Sequence, residues 1–302
     1  MPDHDIPAQA SLRQSRPLVG MLWMIVTGLL FVAVTALVKH GAQDLPAAVS
    51  AFLRYALGIL FLLPMLKALK VAKLTGRQKR LFWMRGIAHS LAIIFWFHAM
   101  TRITIAEVTA MNYMTPIYVT IGAALFLGEK LAFRRIAAIA VAFLGALIIL
   151  RPGFRELTDG HLAMVFAAIV FSASYLIAKL MTDEVSPTVV VAMLSITVPI
   201  GMLPFALAVW QTPSLEEIGW LFAVACVATL GHYTMTLAFA AAPVSVTQPV
   251  TFLQLVWSVL LGAVFFAEPV DNFVALGGTV IVAAATFIAI REAMLKRGRR
   301  LS

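Results

Sequence analysis

The sequence predicts an all-α integral membrane protein with ten transmembrane helices. They are expected as two inverted five-helix repeats, with both termini in the cytoplasm. Three observations lead there. The first is composition. Apolar residues make up 62% of the chain, charged residues 12%, and the mean hydropathy is +0.95. The apolar residues gather in runs of about 20 without two-residue alternation, as in membrane helices and not barrel strands. The second is the placement of charge. With the N-terminus inside, the inner segments hold sixteen Lys and Arg residues and the outer loops four, Lys39, Arg102, Arg151 and Arg155. That bias sets the orientation. The third is an internal echo at half the chain length, described below.

Residues 1–17 are polar and read as a short cytoplasmic tail. Leu18–Val38 is too long for a signal-peptide core and reads as a retained first span. Span 2 covers Ala47–Leu66, and a basic loop follows. Span 3 is Leu81–Met100. A tight turn over Thr101–Ile105 leads to span 4, Ala106–Glu129, which Pro116 interrupts. Span 5 is Ala132–Leu150, closed by Arg151-Pro152-Gly153. Spans 6 to 8 are Gly160–Met181, Pro187–Trp210 and Ile218–Ala241. Span 9, Val244–Ala267, is interrupted by Pro249. Span 10 is Asn272–Ile290, and a basic tail occupies 291–302. The first repeat is thus 18–150 and the second 160–290.

The echo is clearest in spans 4 and 9. At an offset of 139, Glu129 falls on Glu268, Phe126 on Phe265, Tyr113 on Phe252 and Tyr118 on Trp257. At an offset of 140, Gly20 falls on Gly160, Phe31 on Phe171, Lys39 on Lys179 and Pro64 on Pro204. Self-similarity at a fixed period is the mark of duplication. Five spans per half is an odd number, so the second half must lie inverted. Inverted repeats with proline-interrupted helices at matching places serve alternating access to a site near the midplane.

Other functions lose support on the same page. The net charge of +9 sits in loops flanking apolar spans, so it implies no nucleic-acid partner. The one cysteine, Cys226, lies in an apolar run and forms no intrachain disulfide. There is no P-loop, HExxH motif, His/Cys cluster or GxSxG motif, so no ATPase, metal site or serine hydrolase is expected. No cofactor is expected. No Asp or Glu falls in the middle third of any span, which argues against a pump driven by a deep carboxylate. Facilitated exchange, or coupling through histidine, fits better.

Polar side chains within spans are costly and therefore informative. Asn112, Thr115 and Tyr118 follow one another at three-residue spacing in span 4, and so do Gln248, Thr251, Gln254 and Trp257 in span 9. Each set reads as a stripe. Beside a proline, amide, hydroxyl and aromatic groups suit a cavity for a flat or zwitterionic solute. Hydrogen bonding between helices is the plainer alternative. Trp96, Tyr113 and Tyr233 add further flat faces. His98 and His232 are candidates for a ligand or proton role, or packing residues. Arg54, about 10 Å into span 2, is either an anion contact or buried pair, or a side chain reaching back to the outer interface. Arg85, four residues into span 3, reads as reaching the inner interface. Lys39 and Lys179 are gating or structural candidates, as are Glu129 and Glu268 at span ends. Glu107 is placed to pair with Arg102.

Taken as a set, several motifs resemble the drug/metabolite transporter superfamily with paired EamA domains. They are Leu53-Arg54-Tyr55, Arg85-Gly86, Phe126-Leu127-Gly128-Glu129, Ala267-Glu268 and Gly277-Gly278, together with Lys39. The resemblance covers roughly 18–291. Ala267 stands where a glycine is usual, and Ala138 where one is common, which bears on local helix packing. The resemblance implies transport across the cytoplasmic (inner) membrane, with the cavity among spans 1, 3, 4, 6, 8 and 9. Family substrates include amino acids, riboflavin, S-adenosylmethionine, sugars and drugs. Span 3 looks closest to the S-adenosylmethionine and riboflavin branch. The expectation is a secondary transporter of a small organic metabolite, with the lipid bilayer and that solute as its partners. Efflux of amino acids or drugs is the rival within transport. A membrane assembly factor or membrane-embedded enzyme is the rival from another class. A homodimer is compatible with the small residues Gly277 and Gly278.

Overall fold

The computed structural model describes residues 16–41, 45–100, 102–103, 111–129, 132–150, 158–266 and 272–301. The described residues are helical with short connections and contain no strand. Among the described residues, twelve α-helices run in chain order: α1 Pro17–Gly41, α2 Ala47–Gly58, α3 Leu66–Val71, α4 Gly76–Met100, α5 Met114–Leu127, α6 Phe133–Leu150, α7 Asp159–Thr182, α8 Pro187–Ala208, α9 Leu215–Ala241, α10 Val244–Thr251, α11 Leu253–Phe266 and α12 Asn272–Leu301.

Helix ends follow local chemistry. Ser214 and Glu217 form a reciprocal capping box that starts α9 three residues before the hydropathy does. Thr75 and Gln78 exchange hydrogen bonds of 2.9 and 3.2 Å, and α4 therefore begins inside the basic loop. α12 runs past Ile290 to Leu301 because its basic residues are good helix formers that suit a C-terminal dipole. The expected basic tail is thus helix as far as the described residues go.

Two expected spans are broken. Span 2 passes through a 3₁₀ segment, Ile59–Met65, containing Pro64, and bends by 51°. Span 9 divides at Phe252, three residues after Pro249.

Among the described residues, four helices are long and apolar enough to cross a membrane: α1, α7, α8 and α9. The bent pair around Pro64 raises the number to five. Met114–Leu127, Ile136–Ile148, Val244–Leu260 and Ala275–Phe287 are shorter apolar helices. Exposed Leu, Phe, Ile and Val side chains lie along many of these helices, as on a surface solvated by lipid.

The packing has an exchange symmetry. α1 packs along α9 and α4 along α7. α5 packs on α7, while α10 and α11 pack on α1. α4 meets α8, and α2 meets α9. Three further pairs, α2 with α8, α6 with α12 and α5 with α10, join corresponding elements. Swapping the two halves of the chain maps this set onto itself. Close approach needs small residues. A Cβ on Gly86 would strike the Thr197 side chain of α8, and one on Gly20 would lie 2.5 Å from Ala242 Cβ.

α5 ends on Gly128 in the left-handed region at φ 67°, which a residue with a Cβ adopts only at a cost. The chain then delivers Glu129 to the start of α10. Its carboxylate accepts from Val244 N at 2.8 Å, Ser245 N at 3.1 Å and Ser245 Oγ at 2.8 Å. A carboxylate on free amides at a helix N-terminus is favourable. It joins one half of the chain to the other.

Candidate functional site

A cavity of about 490 Å³ opens among α1, α2, α4, α5, α7, α9, α10 and α11. That volume lies within the range of small-molecule sites. Helical periodicity places its lining. On α4, His89, Ile93, Trp96 and Phe97 form one face at spacings of four, three and one. On α2, Ala51, Arg54 and Tyr55 do the same, and on α7 Phe171 and Tyr175 are one turn apart. Helix breaks expose amides. Asn112 and Tyr113 lie just before α5, and Gln248, Thr251 and Gln254 straddle the break at Phe252.

Of the residues singled out in the sequence, Trp96, Asn112, Tyr113, Thr115, His232, Gln248, Gln254 and Arg54 line this cavity. Tyr113 stacks on Phe252, with ring centres 5.2 Å apart and planes at 21°. Thr115 Oγ1 is buried and has no hydrogen-bond partner.

Tyr118, Tyr233, Trp257 and His98 do not line it. An α-helix turns about 100° per residue, so a three-residue stripe drifts by about 60° at each step. Tyr118, six residues after Asn112, has rotated off the face. Gln254 lines the cavity, while the ring of Trp257 lies beside Gly28 of α1. Tyr233 is half-buried beside His232. His98 lies about half a turn of rotation from His89 and is exposed, with Nε2 3.4 Å from Asp159 Oδ2. Arg102 also meets Asp159, at 3.8 Å; Glu107, its expected partner, lies outside the described residues, as does Glu268. The side chain of Lys39 lies outside them too. Lys179 donates to the Phe239 carbonyl at 2.9 Å and to Asp183 at 3.2 Å, tying α7 to α9.

Arg85 overturns its expectation. It is not an interfacial side chain but is 1% exposed, donating from one terminal nitrogen to the Val190 carbonyl of α8 at 2.8 Å. Distance to the end of the span puts Arg85 near the interface, but α8 packs over this part of α4 and buries it.

Other lining groups came forward only in three dimensions. Tyr55 Oη and His89 Nε2 share a hydrogen bond of 2.7 Å, and Ser174 Oγ lies 3.3 Å from His89 Nδ1. The His89 and His232 rings are 5.5 Å apart, and Phe31 packs edge-on against His232. Thr27 of α1 bonds Thr234 of α9 at 2.9 Å. The spacing of seven from His89 to Trp96 was the one available signal for His89. Tyr55 stood only within the Leu53-Arg54-Tyr55 motif and Phe171 only in the echo with Phe31, and Tyr175 carried no signal. Among the described lining residues Arg54 and two imidazoles are the basic groups, and no carboxylate is present.

Comparison with known proteins places this bundle. The EamA-like transporter family matches residues 18–151 and 158–290. The chain belongs to that family. It is 31% identical over 291 residues to a riboflavin transporter of Rhizobium johnstonii, covering 95% of this chain and 96% of that one. The pseudopaline exporter CntI of Pseudomonas aeruginosa is 28% identical over 88% of this chain and 94% of its own. An S-adenosylmethionine uptake transporter of Rickettsia felis is 25% identical over 91% and 94%. A solved structure titled only as a crystal structure of a protein shares the fold. Its TM-score is 0.74 at 19% identity, over 90% of this chain and 98% of that one. The relatives are transporters, not enzymes, and the chain is a multi-pass membrane transporter of a small molecule.

Proposed function

We propose that this EamA-family transporter carries a flat, uncharged heteroaromatic metabolite of the riboflavin kind across the cytoplasmic membrane. The observation that carries this reading is the cavity lining. Aromatic faces from Trp96, Tyr113, Phe171 and Tyr175 stand beside amides from Asn112, Gln248 and Gln254, with no carboxylate among the described lining residues. Aromatic rings stack on a flat solute, and amides pair with the donor and acceptor edge of a heterocycle. A cationic solute such as S-adenosylmethionine would want a carboxylate. The similarity to a riboflavin transporter supports the same choice.

The ten short and long apolar segments form two halves of five spans, the second inverted, with both termini cytoplasmic. The exchange symmetry of the packing and the inward bias of Lys and Arg support this arrangement. The two halves rock about the cavity, so that it opens to each side in turn. Amides at the breaks before α5 and at Phe252 bind the solute edge, and Glu129 holds the halves together at α10.

The test is riboflavin binding to the detergent-purified protein, read by thermal unfolding and by flavin fluorescence, followed by flux in proteoliposomes. Binding by riboflavin and not by S-adenosylmethionine or amino acids supports the reading. A saturable shift with S-adenosylmethionine alone refutes it.

A further inference from the structure

One side of the cavity carries positive charge without a counter-charge among the described residues. Arg85 of α4 is 1% exposed. One terminal nitrogen reaches the Val190 carbonyl; Nε and the other terminal nitrogen are buried and have no partner. Arg54 lines the cavity with its guanidinium carbon 4.1 Å from the centre of the Tyr55 ring. A narrow crevice continues from there between α2, α8 and α9, bounded by Arg54, Tyr55, Ser195 and His232. Tyr55 is bonded to His89, whose ring is 5.5 Å from that of His232. His232 Nδ1 is buried and unpartnered. On α4, Arg85 stands one helical turn before His89.

A buried guanidinium is normally matched by a carboxylate, since an unpaired charge in a low-dielectric setting is among the costliest groups a protein can hold. Ionisable residues kept inside a membrane protein mark the path of a ligand or ion. Here one guanidinium, a phenol and two imidazoles line one side of the cavity, and Arg85 lies behind them on α4. The unfilled donors of Arg85 have the planar geometry that suits oxyanions, and a halide is taken equally by N–H groups.

We propose that this side of the cavity is an anion-binding subsite held by Arg54, Tyr55, His89 and His232, with the charge of Arg85 behind them. Its ligand is a small inorganic anion or an anionic group, carboxylate or phosphate, on a transported solute. The subsite rests on the cavity being the transport site and not on riboflavin being the solute. With an inorganic anion it is a second ligand that moves with, or in exchange for, the flat solute.

The experiment is thermal unfolding of the full-length protein in detergent at fixed ionic strength. Chloride, bromide or phosphate replaces gluconate in one arm. Riboflavin is compared with flavin mononucleotide, its phosphate ester, in the other. The expected result is a saturable rise in unfolding temperature with a small anion, or at least tenfold tighter binding of the mononucleotide. The first assigns the site to an inorganic anion and the second to an anionic group on the solute. Arg54→Gln and Arg85→Gln should each weaken that response at least tenfold. Should Arg85→Gln not fold, Arg54→Gln decides. An unfolding temperature indifferent to every anion, with no preference for the mononucleotide, overturns the subsite. So does a full response retained in Arg54→Gln. Loss of riboflavin binding alone, with the anion response intact, removes the flavin reading and leaves the subsite standing.

Discussion

The two walls of the cavity are built on different plans. The wall of α5, α10 and α11, with the turn before α5, offers amides and flat faces: Asn112, Tyr113, Gln248 and Gln254. The wall of α2, α4 and α9 offers Arg54, Tyr55, His89 and His232, with Arg85 behind it. The first wall follows the sequence echo, since Tyr113 corresponds to Phe252 and both stripes lie at matching places. The second departs from it. At an offset of 140, Arg54 falls on Leu194, Arg85 on Ala225, and His89 on Thr229; His232 falls back on Ala92. Thus the packing repeats and the charge does not. A duplicated frame supplies the shape of the cavity, and residues unique to one half supply its charge.

Substitutions can sharpen that contrast. Glu129→Ala removes three hydrogen bonds at the start of α10, two of them to backbone amides, and with them the footing of the amide wall. A loss of about 2–3 kcal/mol in stability is expected, measured as a lower midpoint in denaturant or heat. His89→Phe strands the hydroxyls of Tyr55 and Ser174 on the basic wall. It should cost about 1–3 kcal/mol, and riboflavin affinity should fall less than in Gln254→Ala, because Trp96 and the amides keep their places. A comparable fall in affinity would show that the walls do not divide the work. Gln254→Ala leaves expression unchanged and raises KM for the transported flavin by about fivefold to tenfold, the worth of roughly one hydrogen bond. Unchanged uptake kinetics would take Gln254 out of the amide wall.

The smallest effect lies outside both walls. Glu184, in the turn between α7 and α8, meets Arg77 at 2.6 Å and Gln78 at 3.0 Å. Partial burial pushes its carboxyl up, but the bonds from Arg77 and Gln78 outweigh this and hold it below its ordinary value. A carboxyl depressed in the folded state stabilises above its unfolded pKa, and that contribution fades as pH falls through the folded one. Arg77 is mostly exposed, so Glu184→Gln should cost less than about 1 kcal/mol at neutral pH. The difference from wild type should shrink as pH falls below the ordinary carboxylate range and vanish once Glu184 is protonated in the folded protein. A gap that persists there would mean packing and not charge.

Hydropathy was enough to locate the helices, because each apolar run must bury or lipidate its side chains along its length. α7 starts within one residue of its expected position, and α10 starts at Val244 as expected. Breaks were legible as prolines, though Pro249 did not reveal that the chain would turn at Phe252. The amide wall was legible because its side chains lie within a few residues of those breaks. The basic wall was not. Tyr55, His89, Ser174 and His232 come from four helices, and nothing in their spacing says that they meet. Arg85 misled for a related reason: depth along a helix was visible in the sequence, and the helix covering it was not. Three-residue stripes also promised too much, since Tyr118 and Trp257 rotate away from the face that Asn112 and Gln248 share.

The stacked rings of Tyr113 and Phe252 have a further consequence. They occupy equivalent positions in the two repeats and touch each other. A contact between equivalents lies on the axis that exchanges the halves. On the proposed rocking of the halves, that axis is the pivot, so trimming Tyr113 should loosen the seam between the halves and the wall of the cavity together.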